Sequence, residues 1–500
     1  MELEITGNDL TIETLVRAAR AEKLRINFSE TTQEHMRQGR KFVLEVAERG
    51  GAVYGLSVGV GSRKTRKVPK EEMVVFNNRM IRDHKTAQGP YLPRDVTRAA
   101  AICLINSISA GKTMIRQEVA LKFAKRLCEG PPLLGVPMYG GTGVGDVVQL
   151  PFLVHDLLGG EQVDVAEGLP LLAQSSFVTA HAAIAFFDAK RLLDELCVVA
   201  AMDIEGYAAN PSPYNPLCAT VRPYQGYRTA LKYINLCLEG SSIHTSAPRH
   251  LQSPLSFRTC ANVLGAAYDA FQFCEDQLSI ELNAHQQNPL LLREKKLITA
   301  SSHFDMQAVS SALDFVRIAL APVLNSQTER SIKMLQASET GLTAGLEPFQ
   351  NATAYFSNGL SEVAWTLQGM CTEARTMTQP VSCETCSASQ AEGIEDRMNM
   401  ASLSARKLAD MVSLGFRCAA LSTIIGCQAI DLRTERDGLR VGPSLRAAHA
   451  SVRSYIPGLN VESSPPVAIE VEKFVIALRQ SLLFKTLSNG GESKSISSKL

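Results

Sequence analysis

The segment "VYGLSVGVG" (53–61) sets Tyr54 among three glycines. Glycines allow close backbone approach and positive φ, so such a stretch reads as a tight loop. A phenol fixed in a loop of this kind can move a proton as a general acid or base. A second glycine-rich stretch, "VPMYGGTGVGDVVQLPFL" (136–153), carries one acid, Asp146, and runs into apolar residues. It looks like a functional loop feeding a helix, yet it holds no Ser, Cys or His and so no obvious nucleophile. "INSISAGKT" (105–113) imitates a phosphate-binding loop, but that motif needs glycine at 106, where this chain has asparagine. "CETC" (383–386) has metal or redox spacing without a second pair at ligand distance. No metal constellation is visible.

The elements that must carry these loops are helical. Residues 167–202, 260–282, 304–335, 358–377 and 395–426 place apolar side chains at three- and four-residue spacings over several turns. Clean two-residue alternation is scarce. Long helices with short joins predict helix packed on helix, a mainly α bundle. "NPSPYNPLCATVRPYQGY" (210–227), with four prolines, is the best candidate boundary. It predicts an N-terminal domain over 1–209, a helical bundle over 210–488 and a flexible tail over 489–500. Two further long loops, 377–393 and 457–466, are candidates for function.

Composition narrows the class. The 500 residues are 45% hydrophobic and 20% charged with net charge +1, an ordinary globular balance. Nothing in that charge argues for nucleic acid or anionic membrane as partner. No uninterrupted apolar run approaches the ~20 residues that span a bilayer. Twelve cysteines are too sparse for a disulfide scaffold and suggest a reducing, intracellular setting. The acidic N-terminus is unlike a secretory or transit peptide. Ser498, Lys499 and Leu500 spell a peroxisomal address, meaningful in a eukaryote; otherwise a cytoplasmic place is expected.

Taken together, the motifs resemble those of the aromatic amino acid lyase family, the histidine and phenylalanine ammonia-lyases. "VYGLSVGVG" is similar to the family's Tyr-Gly-x-x-x-Gly-x-Gly loop. "FNNRMIRDH" (76–84), "RAAAICLINSISAGKTMIR" (98–116), "AEGLPLLAQSSFVTA", "VRPYQGY", "LQSPLSFRTCANVLG", "IELNAHQQNPLL" and "NMASLSARK" resemble other family segments in order and spacing. The resemblance covers about residues 10 to 485. It implies a long-helix bundle of the fumarase/aspartase-like type with a small mixed N-terminal region, assembled as a homotetramer whose active sites draw on three chains.

The resemblance also implies what residues 136–153 are for. The family's loop contains Ala-Ser-Gly, which cyclises to methylidene-imidazolone, the electrophile that activates an amino acid for loss of ammonia. Aligned on Gly145-Asp146, the tripeptide falls on Gly143, Val144 and Gly145. Valine has no β-hydroxyl to eliminate, so the electrophile, and with it any cofactor, is expected to be absent. Nearby family positions also differ: an Asn falls on Ala173, the second catalytic Tyr on Leu255, an Asp on Ser253 and a Phe on His303. Others persist. Tyr54 stands at the catalytic base and Arg258 at the arginine that grips the substrate carboxylate, a task suited to a forked guanidinium. Gln252, Asn283 and Asn78 stand at polar substrate-binding positions, His303 adds polarity beside them, and Glu395 (or Glu392) replaces the polar residue of the late loop.

Three functions stay open on this reading. The first is an enzyme without the prosthetic group, acting on an amino-acid-derived carboxylate by tyrosine-based proton transfer: elimination, addition, isomerisation or cyclisation. The second is a non-catalytic binding or partner subunit. The third is an ordinary aromatic amino acid ammonia-lyase.

Overall fold

The computed structural model describes residues 1–48, 53–351, 359–383, 390–459 and 467–489. Cys386 of the Cys-x-x-Cys pair and the C-terminal Ser-Lys-Leu fall outside them, as does most of the 457–466 loop.

Four long helices dominate: Ser176–Tyr207, Cys260–Glu281, Gln307–Met334 and Ala401–Asp437. The expected mainly α fold is what the chain adopts, with three short strand pairs beside it. One of these, Glu2–Glu4 alongside Arg25–Asn27, supplies the small mixed N-terminal region. Helix ends differ from the periodicity in ways that tertiary bonds explain. The apolar run from 167 breaks after the short helix Gly168–Leu172 and restarts at Ser176, where the Ser175 amide donates to Gln286 Oε1 at 3.2 Å and the Phe177 and Val178 amides donate to Asp146. The last long helix starts at Ala401 rather than 395. There Asn399 Oδ1 accepts the Ala401 amide at 3.1 Å, as an N-cap side chain does.

The expectation about membrane-spanning length needs correction. The 168–207 stretch, Gln307–Met334 and Ala401–Asp437 are each long and apolar enough to cross a bilayer by length and composition. Scattered Ser, Thr and Gln interrupt the apolar runs without lowering their mean hydropathy much. Their apolar windows are 100%, 61% and 72% buried within the protein, so packing already covers most of that surface.

Residues group by contact into two compact units. One comprises 1–187, 274–314 and 380–407; the other comprises 188–273, 315–379 and 408–500. This division is interleaved, unlike the single break expected at 209/210. A 37-residue helix is about 55 Å long, more than a small domain's width, and four of the unit boundaries fall inside the long helices.

In the first unit, residues Val96–Ser109 of the helix Arg94–Ser109 are buried throughout. Its Asn106 side chain accepts the Gly7 amide at 3.0 Å and donates to Leu282 O at 3.0 Å. In the second unit, Arg330 and Asp203 form a buried ion pair at 2.9 Å. Gln327 adds a 2.6 Å hydrogen bond to the same carboxylate oxygen. A buried pair of this kind is costly to break singly, because one charge is then left alone out of water.

The second unit also buries Glu205 completely. Among the described residues neither of its carboxylate oxygens has an aligned donor. Burial pushes its carboxyl up to about 7, with the nearby Ser241 hydroxyl pulling the other way. The folded protein therefore holds a proton there that the unfolded chain releases near 4.5. This stabilisation, roughly 3 kcal/mol, is complete below that lower value and is lost as pH rises through about 7. Melting temperature is expected to fall from about pH 5 to about pH 8, and Glu205→Gln should flatten part of that fall. An unchanged slope in the variant rejects the assignment.

Candidate functional site

Tyr54 is positioned from beneath. Val53 and Leu56 on either side of it bury into a cluster with Phe42, Val43, Met114, Ala166 and Leu291. Between them Gly55 has φ +74°, and a side chain there would run into Leu169, so the turn requires glycine. The turn closes with Gly55 N donating to Val58 O at 3.1 Å. The half-buried tyrosine then reaches forward, and its hydroxyl oxygen accepts the Gly61 amide at 2.8 Å. Gly61 packs against Ala391, with 3.6 Å between Ala391 Cβ and a Cβ built on the glycine. The structure thus brings the Tyr54 loop to the late loop that carries Glu392 and Glu395. Both carboxylates are exposed on a turn closed by reciprocal backbone bonds between Gln390 and Glu395 at 3.0 and 3.2 Å.

The degenerate loop is tied down more tightly. The Gly143 carbonyl accepts two donors, Asn399 Nδ2 at 2.7 Å and the Met306 amide at 3.2 Å. Gly145 N donates to Phe304 O at 3.2 Å, and Val144 bridges Asp305. Thr142 O accepts the amides of Asn399 and Met400 at 3.1 and 2.9 Å. Gly143 sits at φ +86°, and a Cβ on it would collide with Asn399 Oδ1. Neither the conformation nor the space admits alanine. Asp146 anchors the far end. Its Oδ2 accepts the Phe177 and Val178 amides at 2.8 and 3.1 Å, at the start of the helix Ser176–Tyr207. Burial pushes the Asp146 carboxyl up to about 7, while those two amides pull it down.

His303 stands beside this loop, next to Phe304, with its ring exposed and Nδ1 3.1 Å from His285 O. His285 itself is held down to about 4, first by burial and then by Lys112 and His303, so its ring is neutral at pH 7. Asn78 and Asn283 have taken other duties. The Asn78 carboxamide clamps both backbone groups of Val163, at 2.9 and 3.0 Å. Asn283 does the same to Leu10, at 2.9 and 3.0 Å. Such asparagines fix the frame rather than present free donors.

Arg258 and Gln252 lie in the second unit and meet each other, Arg258 Nη1 donating to Gln252 Oε1. Arg258 ends the short helix Leu255–Arg258, whose backbone is held on both sides. Tyr214 donates its hydroxyl to Phe257 O at 2.7 Å, and Arg330 donates to Ser256 O at 2.9 Å. Leu255 is 63% exposed.

Sequence reasoning missed Asn399 and Asp305 as partners of the loop and missed the pairing of Arg116 with Glu167. Arg116 contacts both Glu167 oxygens, at 2.8 and 3.0 Å, and joins two of the family-like segments. Their distance along the chain hid them; the only sequence signal was that Asn399, Arg116 and Glu167 each sit inside a family-like segment, and Asp305 had none.

The architecture is a scaffold of long packed helices. Comparison makes the class definite. The family model described as aromatic amino acid lyase matches residues 10–167 and 161–454, and the chain belongs to that family. It is 25% identical to the histidine ammonia-lyase of Clostridium tetani over 517 residues, covering 98% of each chain. Among solved structures, it superposes on tyrosine aminomutase from Streptomyces globisporus with TM-score 0.89 at 22% identity, covering 99% of this chain and 100% of that one. It also superposes on the ergothioneine-degrading enzyme ergothionase from Treponema denticola with TM-score 0.87 at 21% identity, covering 97% and 99%. At those identities the structural matches establish the fold.

Gly143→Ala tests the loop geometry. Positive-φ strain and loss of the Asn399 contacts should together cost at least about 2 kcal/mol. Thermal melting should show a fall of several degrees; a midpoint within one degree of wild type would contradict the geometry.

Proposed function

We propose that this chain is an ammonia-lyase-like enzyme that works without methylidene-imidazolone on an amino-acid-derived carboxylate. The observation that carries the reading is Val144. The residues at 143–145 do not suit the group: Val144 has no hydroxyl to lose, Gly143 has no room for the alanine methyl, and the Gly145 nitrogen that would attack is engaged with Phe304 O. What persists is proton-transfer and carboxylate chemistry. Tyr54 keeps its hydroxyl, whose oxygen accepts the Gly61 amide and whose proton goes to no acceptor among the described residues. Arg258 keeps a forked guanidinium on a braced backbone. In this reading Arg258 holds the carboxylate and Tyr54 takes or returns a proton on the neighbouring carbon. The bond made or broken there decides between elimination, addition, isomerisation and cyclisation.

The working assembly in this reading is a homotetramer, with each site completed by other copies of the chain. Exposed apolar side chains support self-association. Phe273 and Phe315 meet edge to face at 6.3 Å while 46% and 47% exposed, with Ile318 nearby in sequence at 44%. A monomer by light scattering at micromolar concentration would remove this part of the proposal.

Intact mass separates the reading from that of an ordinary ammonia-lyase. The unmodified chain mass is expected, whereas a deficit of two waters mapping to 136–153 overturns it. Turnover is to be sought on histidine, tyrosine, phenylalanine and ergothioneine as well as on other amino-acid-derived acids. On the substrate found, Tyr54→Phe should lower kcat by roughly 10²–10⁴-fold with folding intact. Arg258→Lys keeps the charge but loses the two-pronged geometry, and should raise KM as well as lower kcat. Wild-type kcat in Tyr54→Phe rules out the tyrosine mechanism.

A further inference from the structure

Directly after the Tyr54 turn the chain reads "GSRKTRKVPK" (61–70), with cations at Arg63, Lys64, Arg66, Lys67 and Lys70. The net charge of the whole chain is only +1, so five positive charges within eight residues are a local concentration. All five are exposed, and among the described residues none is paired with a carboxylate. A charge run is often just a solvated face. Here, however, the backbone folds back on itself so that the residues carrying the charges are brought close together.

The turn Gly61–Arg63 is followed by Lys64 N donating to Gly61 O at 3.1 Å and Arg66 N donating to Arg63 O at 3.0 Å. The second bond closes a four-residue turn, which sets the Arg63 and Arg66 Cα atoms within about 7 Å of one another. The far end is pinned back on the Tyr54 turn. Gly59 N donates to Arg66 O at 2.9 Å, Val68 N to Ser57 O at 3.0 Å, and Lys67 bridges Val58. The same loop gives its Gly61 amide to the Tyr54 hydroxyl. Arg63 is two residues beyond that amide, so its Cα lies within about 7 Å of the Gly61 Cα. The acids close in sequence do not neutralise the cluster. Glu71 and Glu72 sit in the turn that opens the helix Met73–Asp83, where the helix dipole favours them, and Glu392 lies exposed on the turn packed against Gly61.

Two arginines whose Cα atoms are held within about 7 Å, with lysines close to them in sequence, concentrate positive charge that a multiply charged anion neutralises. Forked guanidinium donors match phosphate oxygens in pairs, with lysines serving as point charges. We propose that the 63–70 loop binds a phosphate or pyrophosphate group, and that the substrate handled by Tyr54 is a carboxylic acid bearing such a group. The inference rests on the functional reading above for its link to Tyr54. A small molecule is favoured over a nucleic acid because the cluster is one short turn beside the phenol. Nucleic-acid binding needs a basic stripe long enough to follow several phosphates, and the chain as a whole is nearly neutral.

The test uses the full-length protein and inorganic pyrophosphate, with binding measured by titration calorimetry. Wild type should bind, and the affinity should fall as salt is raised. Arg63→Gln with Arg66→Gln should weaken binding at least about tenfold, the equivalent of ~1.4 kcal/mol. Arg63→Lys with Arg66→Lys should lose less, and Lys295→Gln with Lys296→Gln, which lie elsewhere, should lose nothing. Circular dichroism confirms folding of each variant, and the lysine pair tests the idea if the glutamine pair fails to fold. Absence of pyrophosphate binding in wild type, or equal binding by wild type and the Arg63/Arg66 variants, overturns the proposal. Tighter binding of a short DNA duplex than of pyrophosphate, abolished by the same variants, also overturns it and makes the loop a nucleic-acid contact. Tyr54→Phe should bind pyrophosphate like wild type. If pyrophosphate binds while Tyr54→Phe turns over normally, the tyrosine mechanism fails and the anion site stands; the reverse pattern fails the anion site alone.

Discussion

The carboxamide of Asn399 is the constraint on which the first unit's loops depend. Its Nδ2 donates to Gly143 O at 2.7 Å and to Asp305 Oδ1 at 2.8 Å, while its Oδ1 caps the helix Ala401–Asp437. Its own backbone carbonyl accepts the Ser310 hydroxyl at 2.6 Å. One buried residue therefore joins the 142–146 loop, the 303–306 segment and the starts of two long helices. Such a network is stable only when every member is satisfied, which leaves little freedom at position 143. Glycine there follows from the geometry.

Buried charge does comparable work in the second unit. Arg330 is 2% exposed, and its partner Asp203 is fully buried. The guanidinium spends its remaining hydrogens on Ser256 O, Ser326 and Gln327. Ser256 lies two residues before Arg258. The ion pair thus holds the backbone from which Arg258 projects. Buried ion pairs are poor sources of net stability, but they fix geometry well because few arrangements satisfy them.

The family scaffold is present, and on the reading proposed above its electrophile position falls on Val144, which has no reactive side chain. On the same proposal Tyr54 and Arg258 stand at the base and carboxylate-binding positions. On the proposed reading Val144, Ala173 and Leu255 stand where the family resemblance places Ser, Asn and the second Tyr. A site of the proposed kind favours acid–base chemistry on a carboxylate over electrophilic activation. The basic turn that follows Tyr54 adds a recognition element of a different kind, suited to an anion of higher charge than a carboxylate.

Much of this was legible in the chain itself. Three- and four-residue apolar spacing determined the helices, because burial of one face is a local, periodic demand. The chemistry of Val144 was equally plain, since no fold can give valine a hydroxyl. Family-like motifs located Tyr54, Arg258 and the Asp146 anchor. Tertiary structure alone decided the rest. Asn78 and Asn283 read as substrate ligands but clamp the backbone of Val163 and Leu10, a choice set by which unpaired peptide groups lie opposite them. The break before Ser176 and the late start at Ala401 were set by side chains distant in sequence. The interleaved units, which no proline-rich linker marks, follow from helices longer than a domain. Sequence determines which groups can react and which faces must be buried; only the fold determines which of those groups spend their hydrogen bonds on the frame and which keep them for a ligand, because a hydrogen bond's partner is a matter of position in space.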